Sequence, residues 1–205
     1  VSEMFTRGIV DRKGHIQDVR SDRVRPYAGG KEFVVVPAKD TKATTLSLAM
    51  KAKSGVWNAT PIAPAKDIAI NDDDIANIIR TKAALYAACD VLLDSVNLSF
   101  EDLDRVYIAG GFGNYIDTTK AINIGLLPDL PRDRFEFLGN AALGGARMTL
   151  LSKGAREEAK EVYQTMTYLE LTTKQAFFDR FTSSLFLPHT DMSRFPSLRK
   201  RLEGR

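Results

Sequence analysis

Three glycines within four residues follow a short apolar run near the middle of the chain. Gly110, Gly111 and Gly113 come directly after Val-Tyr-Ile-Ala at residues 106–109, a run typical of a β-strand. Glycine allows positive φ and a close approach of the backbone that a Cβ would block. A strand that ends in such a turn and continues as a helix can bring bare N–H groups to a nucleotide. We therefore interpret this turn as the best candidate for a functional site.

A second glycine-rich turn follows the next predicted strand. Residues 138–145 read Leu-Gly-Asn-Ala-Ala-Leu-Gly-Gly. In an open α/β sheet, ligands bind at the carboxyl ends of strands, so the two turns predict a shared crevice. Gly144 and Gly145 are poor helix formers and imply close packing on a neighbouring element or ligand. The alternative is that all these glycines only make tight turns.

The order of the predicted elements indicates an α/β fold. A hairpin is expected at 8–17, and strands at 32–36, 67–70, 105–109, 135–139 and 168–171. Helices are expected from residue 71 onward and at 117–124, 140–152, 156–167 and 174–187, the last helix of the chain. We expect a mixed β-sheet flanked by helices, in one subdomain over residues 1–197 with a loop insertion at 39–66.

The long helix after Asn71 carries an apolar stripe that includes the only cysteine. Asn71 is the expected N-cap, and Asp74 can complete a capping box. The stripe recurs at helical spacing and consists of Ile75, Ile78, Ile79, Leu85, Cys89, Leu92, Leu93 and Val96. Cys89 is therefore expected to be a buried, unreactive thiol. One cysteine allows no internal disulfide and no Cys-rich metal or iron–sulfur site, which fits a reducing cytoplasm.

The composition is that of an ordinary globular protein. Of 205 residues, 44% are hydrophobic and 27% are charged, and the formal net charge of +3 does not point to nucleic acid. No apolar run approaches the roughly 18 residues of a membrane span. Residues 1–8 resemble the last turn of a helix, so the chain is expected to begin in mid-fold as part of something larger. Residues 198–205 are expected to form a solvated basic tail.

Other nucleotide and nucleophile motifs fit the sequence less well. No Gly-Lys-Ser/Thr follows the glycines, which excludes a P-loop. Glu136 stands roughly where a dinucleotide fold places its ribose carboxylate, but Ile116 replaces the third glycine. His189 and Asp191 could orient a base, yet no nucleophile partner is evident. A local hydrogen-bonded turn is the better interpretation of that pair.

Four separated segments resemble one known family. Residues 102–117, 121–131, 137–146 and 185–191 look like the C-terminal domain of the reductive activators of corrinoid proteins. The segments agree with the family in order, and the resemblance covers most of residues 65–197. Residues 39–66 depart from it and look like an insertion. The resemblance implies one half of an actin/Hsp70-like (ASKHA) ATPase core, with a ribonuclease H-like sheet.

The family's properties are expectations for this chain. The resemblance implies that ATP, with Mg, is used to reduce the inactive Co(II) corrinoid of a partner protein to Co(I) for methyl transfer. It also implies electron transfer from a [2Fe-2S] cluster in an N-terminal ferredoxin-like domain. Carried over by motif, the residues lining the adenosine side would be Gly110, Gly111, Phe112 and Gly113, with Gly139, Asn140 and Ala141 nearby.

The sequence also limits this resemblance. The superfamily's phosphate loop, of the Asp-x-Gly-Thr type, and the cluster cysteines are absent from it. We therefore expect half of an ATP cleft, completed by the remainder of the parent chain, and no catalysis by this chain alone. The expected partners are a corrinoid protein and, in a homodimer, a second copy, but neither nucleic acid nor a membrane. The alternatives are a docking or dimerisation module that binds no ATP, and a fragment of a sugar or small-molecule kinase.

Overall fold

The computed structural model describes residues 1–27, 29–41, 66–111 and 115–204. The α-helices in these ranges are α1 (Ser2–Thr6), α2 (Asp72–Asp94), α3 (Thr118–Asn123), α4 (Ala141–Leu151), α5 (Lys153–Thr165), α6 (Gln175–Ser183) and α7 (Pro196–Glu203). The strands are β1 (Val24–Tyr27), β2 (Gly30–Val36), β3 (Ile68–Asn71), β4 (Val106–Ala109) and β5 (Phe135–Gly139). Most of the loop predicted at 39–66 lies outside the described residues.

The described strands group into two sheets. β2 lies between β1 and β3, and both pairings are antiparallel. β4 pairs in parallel with β5. Helix α2 packs against β2 and β3, so strands and helices share one layered arrangement and the predicted α/β class is confirmed. Within the described residues the strands are divided between a three-stranded and a two-stranded sheet.

Two local predictions differ from the structure. The predicted hairpin at 8–17 is reduced to a single bridge between Val10 and Ile16. The predicted strand at 168–171 is wrong, because a 3₁₀ turn at Leu171–Thr173 begins there. Glu170 caps that turn by accepting a hydrogen bond from the backbone N–H of Thr172 at 3.2 Å. A side chain that satisfies the backbone locally favours a turn over strand pairing.

Helix α2 begins as predicted. The side chain of Asn71 accepts from the N–H of Asp74 at 2.9 Å, and the Asp74 carboxylate accepts from the N–H of Asn71 at 3.1 Å. This is a complete capping box, which satisfies two backbone donors that the helix cannot pair internally. Ile75 and Ile79 are buried as the stripe predicted, whereas Ile78 is exposed.

In the second half of the predicted stripe on α2, Leu93 packs against the core but the other four residues do not. The residues buried there are Lys82, Ala83, Tyr86, Ala87, Asp90 and Val91. The exposed residues are Leu85, Cys89, Leu92 and Val96. Helix α6 packs on α2, and Arg180 on α6 donates to the backbone carbonyl of Asp90 at 2.7 Å and pairs with its carboxylate. Because Arg180 satisfies its polar groups, Asp90 can be buried among the apolar residues on this side of α2.

Lys82 is the largest fully buried side chain in the described structure. Its Nζ donates to the backbone carbonyls of Phe186 and Pro188, in the turn that follows α6. Burial lowers the pKa of the Lys82 ammonium to about 7, since the apolar surroundings disfavour its charged form. The lysine therefore ties the centre of α2 to the turn at 186–190.

The turn at 186–190 is also held from the N-terminal end of the chain. The guanidinium of Arg12 donates to the carbonyls of His189 at 2.6 Å and Thr190 at 2.9 Å. Nδ1 of His189 accepts from the backbone N–H of Asp191 at 3.0 Å. This confirms that the His–Asp pair belongs to a local hydrogen-bonded turn.

Helix α7 begins at Pro196 and continues through residue 198, where the basic tail was predicted to begin. Leu198 is fully buried, and the N–H of Ser197 donates to the Asp129 carboxylate at 2.7 Å. The basic side chains at 199–201 are exposed, and they are carried on a helix that Leu198 attaches to the core. No helix in the described ranges has the length and apolar character needed to cross a membrane.

Candidate nucleotide site

Parallel pairing of β4 with β5 brings the two glycine turns side by side. Ala109, the last residue of β4, is paired with Gly139, the last residue of β5, after a shift in register beyond Ile108. The N–H of Gly110 then donates to the carbonyl of Gly139 at 2.6 Å. The carboxyl ends of two neighbouring strands therefore meet at one edge, as the sequence predicted.

The backbone at this edge needs glycine and leaves space beside it. Gly110 has a φ of +107° and Gly139 a φ of +62°, both in the region that side chains with a Cβ rarely adopt. A Cβ built on Gly110 or Gly111 would have no heavy atom within 4 Å. The space is therefore open to a group from outside the described residues, and the backbone can be approached closely there.

The N-terminus of α4 lies at the same edge. The side chain of Asn140 accepts from the N–H of Leu143 at 3.1 Å and caps the helix, which begins at Ala141. The first turn of a helix carries unpaired N–H groups and a partial positive charge. Gly110, Gly111, Gly139, Asn140 and Ala141 are thus brought to one edge, while the predicted residues Phe112 and Gly113 lie outside the described residues.

The carboxylate of Glu136 is already paired within the chain and is not available to bind a ribose. It lies in the middle of β5, paired across the strands with Tyr107 of β4. Its carboxylate accepts from the guanidinium of Arg105 at 3.0 Å, and both side chains are exposed. Glu136 therefore forms a cross-strand ion pair, which agrees with the rejection of a dinucleotide fold.

An apolar cavity beside β4 was missed by the sequence analysis. It has a volume of about 420 Å³ and lies between α2, β4 and residues 126–128. Its lining includes Leu85, Cys89 and Leu92 of α2, together with Val106 and Ile108 of β4. The alternating apolar residues along β4 indicate a buried face. No sequence pattern indicates that a cavity would remain between that face and α2.

The helical glycines Gly144 and Gly145 do not meet a neighbour in this chain. A Cβ on either residue would have no heavy atom within 4 Å, so the close packing predicted for them is absent from the described residues. The described ranges also contain no group of three or more His, Cys, Asp or Glu side chains that could hold a metal ion. The site therefore offers backbone groups and open space rather than metal ligands.

A protein family described as the C-terminal domain of RACo, the ASKHA domain, matches residues 49–199. The chain belongs to this family. The match includes both glycine turns and the turn at 186–190, which carry three of the four segments of the resemblance. Membership of the RACo C-terminal family agrees with the α/β architecture.

Two curated relatives are several times longer than the part of them that this chain matches. The corrinoid activation enzyme RamQ of Eubacterium limosum is 36% identical over 116 residues, which is 57% of this chain and 20% of the relative. A [Co(II) methylated amine-specific corrinoid protein] reductase of Methanosarcina barkeri is 27% identical over 139 residues, 64% of this chain and 26% of the relative.

A solved structure of a reductive activator has the same fold as this chain. The reductive activator for corrinoid, iron–sulfur protein superposes on 96% of this chain with a TM-score of 0.79 and 41% sequence identity. This chain covers 28% of that structure. The chain thus spans between a fifth and about a quarter of the length of the relatives that it resembles.

Proposed function

We propose that the glycine edge of β4 and β5 is the adenosine-facing side of an ATP site. The observation that carries the proposal is the hydrogen bond from Gly110 to Gly139, which joins the open turn at Gly110 and Gly111 to the turn before a capped helix N-terminus. A flat base needs close access to backbone atoms, and the space beside Gly110 and Gly111 provides it. Membership of an ASKHA family supports a nucleotide as the ligand.

The described residues fit only one part of ATP. Gly110, Gly111 and Gly139 offer backbone surface to the adenosine, and Asn140 and Ala141 set the helix that begins beside them. Phe112 and Gly113 remain predicted members of the same turn. The phosphates and Mg require cationic and carboxylate groups, which we assign to a part of the parent protein outside these residues. When bound, ATP would supply the free energy for an uphill reaction elsewhere in the parent.

For the whole parent we propose the function of a reductive activator of a corrinoid protein. In that role it would restore Co(I) in a corrinoid partner of a methyl-transfer system, using electrons from a [2Fe-2S] domain outside this chain. The names of both curated relatives and of the matching structure refer to corrinoid proteins, which supports the choice of partner. This chain would contribute nucleotide binding and not the redox centre.

Photolabelling with 8-azido-ATP tests the adenosine assignment in the assembled activator. Trypsin cleavage after Arg105, Lys120, Arg134 and Arg147 would release the two glycine turns on separate peptides, 106–120 and 135–147. We expect label on one or both peptides, and at least a tenfold loss of label when unmodified ATP is in excess. Label found only on other peptides, with the same competition by ATP, would contradict the assignment.

A further inference from the structure

Tyr115 presents the most exposed aromatic ring among the described residues. It is 89% exposed, and within the described part of the chain its side chain has no hydrogen bond and no ring contact. It follows the glycine-rich turn that comes after β4. An aromatic side chain is stabilised when another flat group covers its face. Tyr115 therefore holds an uncovered aromatic face next in the chain to the candidate nucleotide site.

The two residues that follow Tyr115 hold its backbone in place. Ile116 is half-buried and lines the cavity beside β4 together with Ala109. The carboxylate of Asp117 caps α3 by accepting from the N–H of Lys120 at 3.0 Å. Because both following residues are engaged with the protein, the backbone of Tyr115 is anchored on that side while its ring lies in solvent.

Tyr115 and the glycine edge lie at the same end of β4. Ile116 lines the same cavity as Ala109, the last residue of β4, so the chain is back beside this strand one residue after the tyrosine. Tyr115 is four positions after Gly111, and four residues span at most about 14 Å. The space beside Gly111 is open. An exposed aromatic ring and an accessible backbone therefore stand within reach of one ligand of nucleotide size.

We infer that the ring of Tyr115 stacks on the adenine base of the bound nucleotide. The inference rests on the proposed adenosine site and names the side chain that contacts the base. The glycine backbone allows a close approach but offers no flat group of its own, and the tyrosine supplies that group. Loss of one stacked aromatic side chain weakens the binding of a base by roughly 5- to 150-fold. The phenol ring, rather than its hydroxyl, provides this contact.

Titration of ATP into the assembled activator tests this contact with two substitutions. We expect Tyr115→Ala to weaken ATP binding at least about fivefold, and Tyr115→Phe, which keeps the ring, to stay within about twofold of the unchanged protein. The matched control is Tyr163→Ala on α5, at a tyrosine that is 77% exposed, and it should leave ATP binding unchanged. The affinity for ribose 5-triphosphate, which lacks the base, is measured by competition with ATP and should be equal in Y115A and the unchanged protein.

The outcomes separate base stacking from a structural role and from the nucleotide site itself. Equal weakening of ATP and ribose 5-triphosphate binding in Y115A would mean that the tyrosine holds the backbone without touching the base, and would overturn the inference. A loss of ATP affinity in Y115F as large as in Y115A would assign the contact to the hydroxyl and would also overturn it. If G111V weakens ATP binding and Y115A does not, the inference fails while the adenosine site is retained. If neither variant weakens ATP binding, the adenosine site itself is wrong.

Discussion

The backbone nitrogen of Gly110 lies 2.6 Å from the carbonyl oxygen of Gly139, and this hydrogen bond joins the ends of two parallel strands. Neither residue has a side chain to fill the space beyond the bond, and both have positive φ. The bond therefore fixes two turns at one edge and leaves their backbone accessible. The candidate site depends on this relationship more than on any charged side chain.

Alanine at the two neighbouring glycines should have different effects on stability. Gly110 has a φ of +107°, so Gly110→Ala should lower the free energy of unfolding by about 1–3 kcal/mol through backbone strain. Gly111 does not have a positive φ and has open space beside it. Gly111→Ala should therefore change the free energy of unfolding by no more than about 0.5 kcal/mol. Urea unfolding of both variants measures this, and equal losses of stability would contradict the geometry.

Helix α4 should be stabilised by replacing Gly144 with alanine. Gly144 is exposed in a helix, and a Cβ there meets no heavy atom within 4 Å. Alanine in a helix interior is favoured over glycine by about 0.5–1 kcal/mol. Hydrogen exchange of the α4 amides should therefore slow by roughly two- to fivefold. Faster exchange in G144A would show that another element packs closely at this position, as the sequence first suggested.

Removing the buried amine of Lys82 should destabilise the turn at 186–190. Lys82→Met keeps most of the length of the side chain but leaves the carbonyls of Phe186 and Pro188 without their donor. Loss of a partner from buried polar groups costs about 1–3 kcal/mol. Thermal unfolding should show this loss. The matched control is Arg80→Met, at an exposed position of the same helix, and it should be near neutral. A melting temperature unchanged in K82M would mean that the lysine does not hold the turn.

Acid should destabilise the fold in part through His189. Burial lowers the pKa of its imidazolium to about 4, and the nearby positive charges of Arg194 and Lys82 act in the same direction. Between pH 6.5 and pH 4 the unfolded chain binds more protons at this residue than the folded chain does. The free energy of unfolding therefore rises with pH across this window and falls as the solution is acidified.

The comparison with His189→Asn isolates this contribution. The Asn side-chain oxygen can still accept from the N–H of Asp191, as Nδ1 of His189 does, but it does not titrate. Urea unfolding at about pH 4.5 and about pH 7 should show a smaller loss on acidification for the variant than for the unchanged chain. An equal loss of unfolding free energy in both proteins would show that His189 does not contribute to the destabilisation by acid.

The features that could be predicted from sequence are those set by neighbouring residues. Asn71 and Asp74 form their capping box within one helical turn, and the glycine turn after β4 follows from residues that are adjacent in the chain. The buried face of α2 depends instead on distant partners. Lys82 is buried because it reaches carbonyls more than 100 positions away, and Asp90 because Arg180 and Arg194 pair with it. Periodicity alone assigns such polar residues to solvent.

In the candidate site, too, some features could be predicted from the sequence and others depend on distant parts of the chain. The adjacency of the two turns followed from the rule that parallel strands meet at their carboxyl ends. The exposure of Cys89 and of the apolar side chains on α4 and α5 did not, because an apolar helical pattern indicates that a face is buried but does not say against what. The open cavity and the exposure of helices α4 and α5 are therefore features that only the three-dimensional arrangement reveals.

Calorimetric titration of ATP into the assembled activator tests the central claim most directly. The variant Gly111→Val adds a branched side chain where the chain itself has open space, so the fold should be kept while the approach of adenosine is blocked. The control is Gly154→Val on α5, where a Cβ meets only the Ser152 hydroxyl oxygen at 3.7 Å. We predict that G111V weakens ATP binding at least tenfold and that G154V leaves it unchanged. Equal affinity of G111V and the unchanged protein would contradict the assignment of this edge to adenosine.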